Sequence, residues 1–218
     1  MVYKINMLKL SGRIELSERE KNLLTLFSVL LVGGGIFIIV NGYGKPSTLT
    51  EALPNESLKP EITGQILPRS RPVRLRIPKL NIDTYFVDLG LNAEGEIEVP
   101  KGYEEVGWYK YGPTPGELGP AVVLGHVDSY MGPAVFFYLG QLDLGDIVEI
   151  DRADGTTAKF RVDKLERYKQ DDFPTSLVYG DLNYAGLRLI TCSGTYNRES
   201  RRYDSNLIVY ASLVGQTP

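Results

Sequence analysis

The chain contains one cysteine and one histidine in 218 residues, and each sits beside a glycine at the end of an apolar run. The runs are Ala121-Val122-Val123-Leu124-Gly125-His126 and Leu187-Arg188-Leu189-Ile190-Thr191-Cys192-Ser193-Gly194. A thiol attacks as its thiolate, which needs a nearby base or cation, and histidine is the side chain that titrates closest to neutrality. The pair suggests a nucleophile and its proton partner. A buried structural cysteine beside an unrelated turn histidine is the alternative that composition leaves open. At the ordinary values of about 8.5 for a thiol and about 6.5 for imidazole, such a pair near pH 7 is ion-paired in roughly one molecule in a hundred. Chemistry at such a pair would either proceed from that minority or depend on surroundings that shift both groups.

Positioning these residues requires a framework, and the chain divides into four parts. Residues 23–40 carry no charge and as a helix would reach about 27 Å, close to a bilayer's hydrocarbon thickness. Lys4, Lys9, Arg13, Arg19 and Lys21 precede this run, whereas only Lys45 and Lys59 fall in residues 41–60, which puts the N-terminus in the cytoplasm. Asn41-Gly42-Tyr43-Gly44-Lys45 is unlike a signal-peptidase site, so the expectation is an uncleaved anchor. Residues 1–21 are then a cytoplasmic segment, 22–40 a single-pass transmembrane helix, 41–72 an extracellular linker, and 73–218 an external catalytic domain. The linker holds Pro46, Pro54, Pro60, Pro68 and Pro72 among polar residues and reads as a semi-stiff tether, with an arm packed on the domain as the other reading of its last ten residues.

Charge narrows the function. The whole chain is −3, the first 21 residues are +2, and the remainder is therefore −5. An acidic exterior argues against nucleic acid as a partner. One exported cysteine cannot form a disulfide within its own chain, which makes it a reactive group needing explanation. Glu94, Glu96, Glu98, Glu104 and Glu105 lack the dense alternation of a calcium loop and read as a solvated acidic face; neither cofactor nor metal is expected.

From Val73 onward, short alternating runs are punctuated by turns, an all-β pattern. Strands are predicted over 73–77, 82–89, 97–100, 121–125, 146–152, 157–162, 187–191 and 207–213. Asp154-Gly155 marks a hairpin, and Ala134 to Leu139 a helical turn or short helix. About eight strands with no room for crossover helices imply a closed or nearly closed barrel.

Over roughly residues 73–213 the chain resembles the sortases. The matching segments are Ile77-Pro78-Lys79-Leu80-Asn81-Ile82, Gly107-Trp108-Tyr109 with Gly112-Pro113-Thr114-Pro115-Gly116, Leu124-Gly125-His126-Val127-Asp128, and Leu189-Ile190-Thr191-Cys192. The Gly-Pro-Ala-Val-Phe-Phe stretch after the histidine, Asp151 to Gly155, and Asn206 to Ala211 look most like the class F branch. The resemblance implies an eight-stranded β-barrel with short helices behind one transmembrane helix. It also implies a membrane-anchored cysteine transpeptidase that cuts an LPxTG-like sorting signal between Thr and Gly. Cys192 would form the thioacyl intermediate, and His126 would protonate the leaving amine and later deprotonate the incoming one. The acceptor would be an amine of the cell envelope, such as a peptidoglycan precursor.

The chain departs from the family pattern where an arginine is expected at the start of the last strand. Asn206 stands there, with Arg202 at the same strand parity and Arg198 and Arg201 in the same hairpin. Either Asn206 or a displaced guanidinium such as Arg202 would stabilise the oxyanion, unless these arginines only solvate the hairpin tip. Asp128 invites either a His-Asp pairing or a turn cap, and Thr191 either lines the cleft or continues the strand. A plain cysteine hydrolase and a non-catalytic membrane-tethered binding barrel are the competing functions.

Overall fold

Alternation in the sequence becomes alternation in burial. In Pro72–Ile77 (β1), Leu75 and Ile77 are buried while Val73 is exposed. Pro78–Leu80 forms a single 3₁₀ turn that Asn81 ends in the left-handed region at φ 51°. The chain then returns antiparallel as Ile82–Leu89 (β2), with Ile77 opposite Ile82.

The computed structural model describes residues 64–217. The basic head, the proposed transmembrane helix and most of the linker lie outside the described residues. Where the linker is described it behaves as the packed arm. Leu67 is buried and its N–H donates to the Gly116 carbonyl at 2.7 Å, and Arg71 pairs with Asp88 at 2.7 Å.

The remaining strands are Val106–Tyr109 (β3), Gly119–Leu124 (β4), Asp128–Ser129 (β5), Gly132–Pro133 (β6), Ile147–Arg152 (β7), Thr157–Lys169 (β8), Ala185–Asn197 (β9) and Arg202–Thr217 (β10). Eight of the ten strands among the described residues close a barrel in the order β1-β2-β3-β4-β9-β10-β8-β7, and β5 pairs with β6 in a separate ribbon. Among the described residues one short helix, Thr175–Tyr179 (α1), accompanies three 3₁₀ turns. This is the expected all-β, eight-stranded barrel.

Two of the predicted elements differ. Residues 97–100 form no strand: Leu91 and Ile97 make one isolated bridge, and Pro100 has no N–H to extend it. Residues 134–139 form turns but no regular helix: the N–H groups of Ala134, Val135 and Phe136 donate to the carbonyls of Val127, Tyr103 and His126, while Phe137 and Leu139 close turns on Ala134 and Phe136 and Leu139–Gln141 is a 3₁₀ turn.

β4 and β9 read as continuous apolar runs because both of their faces are covered. Ala121, Val123, Leu187, Leu189, Leu207 and Val209 face the barrel interior with Leu75, Val148 and Phe160. Val122, Leu124, Ile190, Ile208 and Cys192 face outward into a second cluster, roofed by Ile97 and Val99 of the β2–β3 loop and by Val178 of α1. The thiol therefore belongs to the covered outer face of the barrel.

Candidate active site

β4 and β9 run parallel, with Leu124 opposite Ile190 as their last paired residues, and the Gly125 N–H donates to the Ile190 carbonyl at 3.1 Å. Two positions further along each chain stand His126 and Cys192. Neighbouring strands lie about 5 Å apart, so this register alone delivers imidazole and thiol to the same end of the barrel. Both residues are buried, at 6% and 3% exposure.

The imidazole is held from two sides and its backbone from a third. Nε2 lies 2.7 Å from the Pro100 carbonyl oxygen, which can only accept, so Nε2 carries the proton and Nδ1 is the basic nitrogen of the neutral ring. Tyr103 packs on it with ring centroids 5.0 Å apart and a 52° interplanar angle. The His126 carbonyl accepts from Phe136 N–H at 2.9 Å. Gly125 does leave room for a close approach, but the fully buried Phe136 ring takes that room: a Cβ at Gly125 would stand 2.4 Å from it.

Asn206 of β10 is directly opposite Cys192, and on its other side opposite Tyr168 of β8. Paired residues of an antiparallel ladder point to the same face, so amide and thiol share the outer surface. Asn206 is 5% exposed, and its Oδ1 is buried with no hydrogen-bond partner among the described residues. Thr191 continues the strand, pairs with Leu207 on the interior-facing parity, and has a buried Oγ1 likewise without a partner.

Arg202 shares the parity of Asn206 but not its level. It pairs with Asn197 at the exposed end of the hairpin, four residues and about 13 Å of strand from Asn206. Arg198 is exposed as well. Arg201, at φ 54°, lines a cavity of about 510 Å³ together with His126, Tyr103, Tyr130, Tyr196 and Lys101. Arg167, which sequence reading passed over, donates from Nε to Ser193 Oγ at 3.0 Å, yet it pairs with Leu207 and so starts from the face opposite to Cys192.

The register that sets Asn206 against Cys192 depends on a bulge. Tyr203 pairs with Tyr196, but Ser205 pairs with Ser193, so Gly194 and Thr195 together oppose Asp204. Gly194 takes φ +85°, the left-handed conformation such a bulge needs and glycine supplies. The Asp204 carboxylate accepts from Thr195 N–H at 3.0 Å and from Ser205 Oγ at 2.8 Å, and these bonds hold its pKa below the usual carboxylate value.

Asp128 takes a partner that neither sequence reading anticipated. It opens the β5–β6 ribbon opposite Pro133, and its carboxylate accepts a short hydrogen bond from the Tyr203 hydroxyl. Tyr203 packs on Tyr196 at 5.2 Å and against the cluster that holds Cys192. Burial first, then the bond to Asp128, raises its phenol well above the ordinary value. Pro100 was equally invisible, since it acts through a backbone carbonyl. The five glutamates of 94–105 have partly local duties, Glu98 accepting the Gly90 N–H and Glu105 the Gly102 N–H. Trp108 is core, with its indole N–H on the Pro113 carbonyl at 2.9 Å.

This chemistry coincides with what other proteins share. The sortase domain family matches residues 75–214. Sortase C1 from Streptococcus agalactiae, in complex with MTSET, superposes with a TM-score of 0.52 at 18% identity over 68% of this chain and 72% of that one. Sortase A from Corynebacterium diphtheriae gives 0.52 at 23% identity over 69% of this chain and 64% of its own. Sortase C-1 from Actinomyces oris gives 0.53 at 21% identity, covering 66% and 75%. No curated protein sequence matches the chain.

Proposed function

Because the chain belongs to the sortase family, whose members are cysteine transpeptidases, we propose that Cys192 and His126 are its catalytic pair and that it acts on an LPxTG-like sorting signal. The observation that carries this reading is the parallel β4–β9 register, which brings imidazole and thiol to one end of the barrel, with Asn206 paired to Cys192 on the same face. The Cys192 thiol passes its proton to His126 Nδ1, and the resulting thiolate adds to the carbonyl carbon of the signal's threonine, giving a tetrahedral oxyanion. Asn206 Nδ2 is the donor at hand for that oxygen, supplying a hydrogen bond without charge.

Collapse of the intermediate breaks the Thr–Gly bond. The leaving amine takes a proton from His126, whose Nδ1 is the exchanging nitrogen because Nε2 is committed to Pro100. The thioester at Cys192 is then attacked by a primary amine of the cell envelope, His126 Nδ1 takes the proton, and the thiolate leaves. Arg202 would serve the oxyanion only through a rearrangement of the hairpin. In this reading the chain is a class F sortase, held in the cell membrane by residues 22–40 with the barrel outside. The ordered motifs and the asymmetric basic flanks support it.

The test uses an LPxTG-like peptide with and without a primary amine, products being identified by mass. Amine-dependent ligation by the wild type and its loss in Cys192→Ala are expected. Full activity in Cys192→Ala would refute the assignment, and hydrolysis that ignores the amine would make the chain a cysteine hydrolase.

A further inference from the structure

Past Leu124 the segment that carries His126 leaves the barrel, turns through the β5–β6 ribbon and returns to Phe136. The β9–β10 hairpin projects beyond Cys192 on the other side and contributes Tyr196 and Arg201 to the cavity that His126 lines. Tyr203 joins the two. It stands on the hairpin, three residues before Asn206 and opposite Tyr196, and its hydroxyl donates to Asp128, two residues after His126. Val127, between those two, packs in the same cluster as Tyr203 and Cys192.

We propose that Tyr203 is a positioning residue, whose hydrogen bond to Asp128 fastens the His126 segment to the Cys192 hairpin and fixes the imidazole relative to the thiol. Strand pairing fixes Cys192 against Asn206, but the last β4–β9 pair is Leu124 with Ile190, so the imidazole's own position depends on what holds residues 126–133. The Pro100 carbonyl and the Phe136 amide orient the ring and its backbone within the loop layer. The Tyr203–Asp128 bond links that layer to the hairpin continuous with the nucleophile strand, across 75 residues of sequence. Proton transfer is steeply sensitive to such placement: a misplacement of about 1 Å can cost about a hundredfold in rate.

The inference rests on the Cys192–His126 reading, and its test separates the two. Steady-state transpeptidation is measured for wild type, Cys192→Ala, Tyr203→Phe, Asp128→Asn, Asp128→Ala and the double variant Tyr203→Phe/Asp128→Ala, each with its melting temperature. Tyr203→Phe is expected to lower kcat about tenfold to a hundredfold while KM for the peptide stays within about twofold. Asp128→Asn, whose amide oxygen still accepts the phenol, should retain most of the activity that Asp128→Ala loses. The double variant should be no worse than Tyr203→Phe alone, because both changes cut one link. Should Tyr203→Phe not fold, Asp128→Ala against Asp128→Asn reads the same link from the loop side. Wild-type kcat in a folded Tyr203→Phe, or losses that multiply in the double variant, would overturn the proposal. An active Cys192→Ala would instead sink the catalytic reading beneath it.

Discussion

Gly194→Ala is the perturbation that most directly probes how the fold builds the site. A Cβ there would stand 1.9 Å from Asp204 Oδ1 and 2.9 Å from Ser205 Oγ, on a backbone at φ +85°. Holding a non-glycine residue in that region costs about 1–3 kcal/mol. Asp204 must also swing away, and its bond to Thr195 N–H is lost. The backbone cost alone lowers the melting temperature by about 2–12 °C for a domain of this size. The only escape is to abolish the bulge. If the hairpin-end register ran on unbroken from the Tyr203–Tyr196 pair, Leu207 would face Cys192 and Asn206 would turn to the opposite side. Either the bulge survives with a large stability loss, or it slips and activity collapses, so at least one of thermal melting and peptide transpeptidation must fall. Adding Asp204→Ala to Gly194→Ala should cost nothing further, since that carboxylate is already displaced. A Gly194→Ala protein that melts within about 2 °C of wild type at full activity would refute this account.

Two further outcomes follow from the same geometry. Asn206→Leu removes a buried acceptor that has no partner among the described residues, so melting should stay level or rise, while loss of the amide donor should lower kcat about a hundredfold to a thousandfold; unchanged turnover would remove Asn206 from the oxyanion role. The Asp204 carboxyl is held below its ordinary 3.8, so its bonds contribute stability above that value and lose it as pH falls through the depressed one. Wild-type melting should therefore drop more steeply below about pH 4 than that of Asp204→Asn, and parallel curves would contradict the assignment.

The barrel was legible where side chains alternate and opaque where backbone partners decide. Asp154-Gly155 announced the β7–β8 hairpin, and Gly155 adopts φ +85° there. β8, β9 and β10 outrun their apolar segments because Asp163–Lys169, Ser193–Asn197 and Arg202–Ser205 are mostly polar and continue as strands through ladder pairing, with Leu165, Tyr168 and Tyr203 packed on the core clusters. The same limit governs the site. A lone cysteine and a lone histidine at strand ends can be read from residue types, and so can glycine at 194. That His126 rests on a carbonyl of Pro100, or that Asp128 meets a tyrosine 75 residues away, depends on long-range closure that carries no local pattern. Arg202 shows the complementary limit: parity puts it on the same side of the strand as Asn206, while distance along the strand, which parity ignores, puts it at the tip.

Asn206 changes the electrostatic logic of the proposed reaction. A guanidinium at this position, 5% exposed and beside a thiol, would need desolvating before it could stabilise an oxyanion, and its charge would also favour the thiolate in the resting enzyme. A neutral amide avoids the first cost and forgoes the second benefit. The thiolate must then draw its stabilisation from elsewhere, and imidazolium formation at His126 is the nearest source, which makes placement of that ring more consequential here than beside a fixed cation. The buried Oδ1 points the same way: an acceptor without a partner destabilises the resting fold by about 1–3 kcal/mol, and a peptide N–H or threonine hydroxyl arriving at Cys192 would relieve that deficit. Binding and turnover would thus be coupled through one side chain, its acceptor meeting the substrate and its donor the developing oxyanion. Asn206→Asp separates these two functions, because it keeps the acceptor and replaces the donor with a second anion beside the thiolate. Peptide binding that survives in Asn206→Asp while acylation of Cys192 fails is the expected pattern, and acylation at the wild-type rate would show that the amide donor is not used.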